Sequence, residues 1–224
     1  MHHIHLFYAT YDGHTRRIVK RLALKLNELG VEVCVHDLGH CQSNQNHPPL
    51  LSRRSSEGAK TDAGGSNSLC DFGEGAAPQS RNTDKNSVYD MLRIPPDAIV
   101  AVIAPIRYGW HLPSATRFLK LFQREKLTNP LAIISVNLTA RKPGKDTAQG
   151  NPYLRRWLKR LRLKPDLALA IAGNLDYPRY NLFDRVTIQL IMTITGGPTN
   201  PRVAVDFTPW DKVDALAAQI AELK

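Results

Sequence analysis

Acidic residues are scarce in this chain: 20 Asp and Glu stand against 30 Lys and Arg, for a formal charge of +10 and a pI near 9.7. Such a balance points to nucleic acid, an anionic membrane surface or an acidic substrate. Zinc-finger, RNP-type and helix-turn-helix signatures are all missing, which sets nucleic acid aside as a partner. Cysteine is also sparse. Cys34, Cys41 and Cys70 are odd in number and lack metal-ligand spacing, so they read as reduced thiols in a cytosolic protein rather than as a disulfide framework or a metal site. No apolar run approaches the roughly 20 residues that cross a bilayer, and Met1-His2-His3-Ile4-His5-Leu6 lacks a secretory pattern. Gly-x-Gly-x-x-Gly and Gly-Lys-Ser/Thr are absent, which excludes the dinucleotide fingerprint and the Walker loop.

What is present is an ordinary globular composition, 42% hydrophobic and 22% charged over 224 residues, enough for one domain with a sizeable core. Ile4 to Ala9 reads as a first strand. Ile18, Leu22, Leu26 and Leu29 place a helix over Thr15 to Leu29, stopped by Gly30. Val31 to His36 alternates as a second strand. From Cys41 to about Asn86, Ser, Asn, Gly, Pro and Gln dominate, and too few apolar residues remain to offset the ordering entropy; 41–86 is predicted to be a disordered insertion. Beyond it, Ala98 to Ala104 suits a strand buried on both faces. A loop over Pro105 to His111, a helix from Ser114 to Glu125, a strand from Leu131 to Val136 and a long polar loop from Asn137 to Gly150 follow. A basic helix from Pro152 to Leu163, a strand from Leu167 to Ala172 and a final helix from Asp211 to Leu223 complete the pattern. Alternation of this kind predicts a doubly wound α/β fold with a five-stranded parallel sheet.

The sharpest local signal is Thr10-Tyr11-Asp12-Gly13-His14-Thr15, between the first strand and the first helix. A phosphate monoester there meets backbone N–H groups and the positive end of the helix dipole. Gly13 permits close backbone approach, and Thr10 and Thr15 can donate hydroxyls; an N-capping turn that binds nothing is the competing reading. Asp12 is unfavourable beside a phosphate unless it points away or caps the helix. Two further loops leave the same edge of the sheet. Ile106, Arg107, Tyr108 and Gly109, with Trp110 and His111, offer aromatic faces, a guanidinium and backbone amides; Tyr108 or Trp110 either covers a flat ring or packs internally. Ser135, Asn137, Leu138 and Thr139 supply amide and hydroxyl groups. His14 and His111 read as loop histidines at the surface.

The turn Thr10 to Thr15 resembles the first loop of flavodoxins, which wraps the phosphate of flavin mononucleotide (FMN). A narrower resemblance follows from Ser135-Val136-Asn137-Leu138-Thr139-Ala140-Arg141-Lys142-Pro143, Ile106-Arg107-Tyr108-Gly109, Tyr177-Pro178-Arg179-Tyr180, Asp184-Arg185, Ile191-Met192 and Gly196-Gly197. In this order they are similar to the bacterial menaquinone-dependent protoporphyrinogen IX dehydrogenase family, along nearly the whole chain apart from 41–86. The resemblance implies a flavodoxin-like fold, FMN as cofactor, and oxidation of protoporphyrinogen IX in haem biosynthesis. Its electron acceptor would be a membrane quinone, menaquinone or ubiquinone, and its location the cytoplasmic face of the inner (plasma) membrane, held peripherally.

The charge agrees with that implication. Porphyrinogen carries propionate carboxylates and quinones live in lipid, so basic groups serve both. Arg141, Lys142, Arg179 and Arg185 are the candidates for substrate-side charges. Between Arg141 and Lys164 only Asp146 is acidic among nine cations. The added segment 177–197 carries Leu182, Phe183, Val186, Ile188, Leu190, Ile191, Met192 and Ile194. It reads as an amphipathic helix that lies in a membrane interface or faces substrate, or else as one buried in the protein or in a homo-oligomer contact. The alternative to an enzyme is a flavodoxin-type electron carrier; by resemblance such carriers are strongly acidic, which this chain is not.

Overall fold

Short apolar runs become strands and the 3.6-residue stripes become helices. The computed structural model describes residues 3–39, 93–176 and 204–223, together with residues 186, 189, 193 and 200. In chain order the described elements are β1 (His3–Tyr8), α1 (His14–Glu28), β2 (Glu32–Asp37), β3 (Ile99–Arg107), β4 (Trp110–His111), α2 (Pro113–Arg124), β5 (Leu131–Val136), α3 (Pro152–Leu161), β6 (Leu167–Ile171), β7 (Asn174–Asp176), β8 (Ala204–Asp206) and α4 (Trp210–Ala221). The predicted insertion 41–86 lies outside the described residues. So does most of 177–197, including Arg179 and Arg185; within it Val186, Gln189 and Thr193 are helical.

Five strands pair in parallel in the order β2-β1-β3-β5-β6, the α/β alternation of the sequence, and antiparallel β4 joins β3 as a sixth strand of the sheet. Register is set by apolar pairs such as Ile4 against Val33 and Ile99, and Val102 against Ile133. Ile99 to Ala104 is buried throughout, because helices cover both faces of the sheet. On one face, Ile18, Leu22 and Leu26 of α1 pack with Val213, Leu216 and Ile220 of α4. On the other, Phe118, Leu119 and Phe122 of α2 pack with Leu154, Trp157 and Leu161 of α3. Full burial of each large apolar side chain is worth about 1.5–3 kcal/mol, so these two layers supply the main stabilisation.

The structure corrects the sequence reading in two places. Pro105 to His111 is not a loop: β3 runs on to Arg107 and turns back through Tyr108 and Gly109 into antiparallel β4. Tyr108 and Gly109 have φ of 50° and 79°, the two positive values that a two-residue type I′ hairpin turn demands. Secondly, the three-residue strands β7 and β8 form a small antiparallel ribbon after β6.

All five parallel strands end at one edge. The strand order reverses between β1 and β3, since the chain proceeds from β1 outward to β2 and from β3 outward to β5. This is the switch point at which open α/β sheets hold ligands.

Candidate functional site

The turn after β1 is shaped by its own residues. Thr10, 3% exposed, accepts the Gly13 N–H on its Oγ1 at 3.0 Å, and Asp12 Oδ1 accepts the His14 N–H at 3.0 Å. Asp12 therefore caps the first turn of α1, one of the two placements that make an acid tolerable there. Gly13 sits at φ 85°, and a Cβ added to it would meet nothing within 4 Å. That open cradle lies at the start of a 15-residue helix, whose first-turn amides lack intrahelical acceptors. Thr15 is 1% exposed, and its Oγ1 has no hydrogen-bond partner among the described residues. An unpartnered buried hydroxyl costs about 1–3 kcal/mol unless something accepts it. A phosphate monoester fits the chemistry of this turn, which offers the helix dipole, first-turn amides beyond the capped His14 N–H and the unpartnered Thr15 hydroxyl.

His14 is buried at 4% exposure, contrary to its reading as a surface residue. Its Nε2 lies 2.8 Å from Thr208 Oγ1 and 3.9 Å from Asp206 Oδ1. Burial holds its pKa below the ordinary value, against the pull of Asp206 and Asp12. Thr208 and Asp206, on the strand and turn before α4, thus hold His14 at the start of α1, and sequence reasoning missed them. Their signal was only an apolar pair at Val203 and Val205 before Pro209. Beside the cradle, Tyr8 donates to Asp37 Oδ2 at 2.7 Å and accepts from Arg16 Nε at 2.9 Å. Burial and the Asp37 carboxylate push the Tyr8 phenol up to about 12.

The hairpin brings the second loop against the first. The Arg107 guanidinium lies 3.5 Å from the centre of the Tyr11 ring and 5.0 Å from that of Tyr108. Tyr11, Tyr108 and Trp110 are 47%, 57% and 52% exposed, each with a guanidinium against its ring. Ile106 is half-buried on β3 and Gly109 forms the turn. Packing is the role of His111 instead: it stacks on Trp157 at 3.8 Å and its Nε2 lies 2.7 Å from Ser135 Oγ. Burial, reinforced by Arg156, pushes the His111 pKa down to about 3, so the ring is neutral.

In the third loop the side chains of Ser135 and Asn137 are used internally, which corrects their expected role as ligand donors. Ser135 is fully buried between His111 and Asn137, which donates to its Oγ at 2.9 Å. Asn137 Oδ1 accepts from Ala140 N and from Asn151 Nδ2, both at 3.1 Å. Asn151, wholly buried, also caps α3 by accepting from Tyr153 N and Leu154 N. Its Asn-Pro start was a helix-entry signal that the sequence reading did not use. This amide pair pins a 3-10 turn over Leu138–Arg141, so Leu138 and Thr139 are half-buried on a fixed backbone. Arg141 donates to Leu138 O at 3.0 Å and lies 5.6 Å from the Phe207 ring, and Lys142 is half-buried beside it. The structure thus brings residues 10–15, 106–110, 138–142 and 206–208 to one edge.

This geometry defines an open, parallel α/β protein with a mononucleotide-type anion cradle at its switch point. A family described as "Flavodoxin domain" matches residues 79–202. The chain is 32% identical over 218 residues to the protoporphyrinogen IX dehydrogenase (quinone) of Escherichia coli strain K12, covering 97% of this chain and 94% of that protein. It is 43% identical over 120 residues to the protein of the same name from Leishmania major, covering 54% and 52% of the two chains. Oxidised Flavodoxin 1 from Bacillus cereus superposes with a TM-score of 0.45 at 10% identity, covering 98% and 97% of the respective chains. The chain belongs to the quinone-dependent protoporphyrinogen IX dehydrogenase family of flavodoxin-domain proteins.

Proposed function

We propose that this protein is an FMN-dependent oxidoreductase that converts protoporphyrinogen IX to protoporphyrin IX and passes the electrons to a membrane quinone, chiefly menaquinone, in haem biosynthesis. The observation that carries the reading is the match to the Escherichia coli enzyme over nearly the whole chain rather than over the flavodoxin domain alone. FMN, when bound, supplies two-electron redox chemistry that no side chain offers. The chain's own residues bind and orient. Thr15 Oγ1 and the α1 amides hold the phosphate. Tyr108 presents a ring face to a flat conjugated system, and the 3-10 turn offers backbone groups at a fixed height. Arg107, held between Tyr11 and Tyr108, places positive charge at the same edge. His111 is neutral and spoken for by Ser135, so no general base is assigned to it.

Quinones reside in lipid, so the proposal includes a peripheral location at the cytoplasmic face of the inner membrane. It is supported by the exposed cations Arg155, Lys159 and Arg162 on or beside α3, and by Asp146 pairing away from them with Lys212 at 2.7 Å. The test has two stages. Addition of FMN should give a bound-flavin absorption spectrum. The loaded protein should then oxidise protoporphyrinogen IX with a soluble quinone analogue present. A bound flavin with no porphyrinogen oxidation would favour the electron-carrier alternative.

A further inference from the structure

A second concave feature borders the hairpin. It is a cleft of about 470 Å³ between α2 and α3, with Trp110 and Tyr153 as its aromatic walls. Arg117 and Lys120 enter from α2, and Arg156 and Arg160 from α3. No acidic side chain is among the described residues that line it. Two guanidinium groups lie against one indole, Arg156 at 4.6 Å and Arg160 at 5.2 Å from the Trp110 ring. Arg156 also donates to Gly109 O at 2.7 Å, which ties the cleft wall to the hairpin turn. On the same hairpin, Arg107 lies against Tyr11 of the turn after β1, so the hairpin touches both the cradle loop and the cleft wall.

We infer that this cleft anchors the carboxylate side chains of a macrocyclic, dicarboxylate substrate, with Arg117, Lys120, Arg156 and Arg160 as the cationic wall and Trp110 as the apolar one. The inference deepens the proposed porphyrinogen oxidation and rests on it for the identity of the ligand. Its logic is chemical. The cleft volume falls within the ~300–1,000 Å³ of small-molecule sites. Cations converging on a concave surface hold carboxylates by charge-assisted hydrogen bonds, and Arg does so with a planar fork. The aromatic wall suits the apolar body of a ring system. A macrocycle anchored here by its propionates would lie beside the hairpin whose Arg107 packs against the turn after β1. A bilayer is a flat surface and would reach only the rim of such a cleft. The wall differs from the earlier candidates: Arg141 and Lys142 lie in the 3-10 turn that borders the cradle instead.

The FMN-loaded full-length protein and its Lys120→Gln/Arg160→Gln variant provide the test, since both positions are exposed on helices and Gln is a good helix former. Equilibrium binding of protoporphyrin IX is measured beside that of its dimethyl ester, and the KM for protoporphyrinogen IX is measured with a quinone analogue. The dicarboxylate should bind the variant at least tenfold more weakly, and KM should rise in parallel, while the diester distinguishes the two proteins by less than twofold. Arg160→Lys should recover most of the loss. FMN affinity should match that of the wild type. Equal dicarboxylate binding by the two proteins overturns the inference. So does an equal weakening for diester and diacid, which would indicate packing. Loss confined to vesicles of anionic phospholipid overturns it in favour of a membrane contact. A wild-type protein that binds the diacid through these residues yet oxidises no porphyrinogen sustains the carboxylate site and refutes the proposed activity.

Discussion

The Thr15 hydroxyl makes opposite demands on the empty and the loaded protein, and Thr15→Val separates them. Valine has the same branched shape, so the 1%-exposed pocket stays filled and the helix start is conserved. In the flavin-free chain the substitution removes a buried hydroxyl that lacks a partner, whose desolvation costs about 1–3 kcal/mol. The apoprotein should therefore be at least as stable as wild type, with a Tm equal or a few degrees higher in thermal unfolding. In the loaded protein the same change removes a hydrogen bond to a charged phosphate, worth about 1.5–3 kcal/mol. At about 1.4 kcal/mol per tenfold, FMN should bind roughly 10- to 150-fold more weakly in a fluorescence-quenching titration. The two measurements must move in opposite directions. An apoprotein destabilised by 2 °C or more, or an FMN affinity within twofold of wild type, would show that Thr15 packs rather than binds.

Three other outcomes follow from the same geometry. Asp12→Asn keeps an acceptor for the His14 N–H but removes a negative charge beside the phosphate; FMN should bind several-fold more tightly at low ionic strength, and the gain should shrink in salt, as titrations at two salt concentrations will show. Tyr108→Asn relieves a non-glycine residue at φ 50°, which costs about 1–2 kcal/mol, so the apoprotein should melt higher while the flavin, having lost a ring face, binds more weakly. His111 and His36 have folded pKa values of about 3 and about 4, both lowered chiefly by burial from an ordinary 6.5. Between those values the unfolded chain binds more protons, so stability should fall as pH drops from 6.5 towards 4. His111→Gln should flatten that slope in urea titrations across the range; an unaltered slope would mean that the ring does not remain neutral in the folded protein.

The centre of the parallel sheet was legible because Ile99 to Ala104 and Leu131 to Val136 are buried on both faces and read as continuous apolar runs; Leu131 to Val136 has identical bounds in sequence and structure. The turn after β1 was legible because Thr10 and Gly13 sit directly between an apolar strand and an amphipathic helix. The hairpin was not. Its turn carries Tyr-Gly in place of the Asn-Gly or Asp-Gly that signals a type I′ turn, so nothing local distinguished it from a loop. Ser135 and Asn137 have the right chemistry for a ligand, and only three-dimensional packing reveals that His111 and Asn151 use them up. The cationic cleft was invisible for a similar reason. Arg117 and Lys120 lie about forty residues from Arg156 and Arg160, and packing of their two helices, sealed by Trp157 Nε1 donating to Thr116 Oγ1 at 3.0 Å, brings them together.

The sheet keeps its two hydrophobic layers apart, and each layer carries a different task. The helix that grips the phosphate is seated on one, and the helices that wall the cleft are seated on the other. Substitutions that reshape the cleft therefore leave the packing beneath the phosphate helix untouched. A lineage built on this plan can change what it oxidises through drift on one side of the molecule, while the redox group stays lodged in the other.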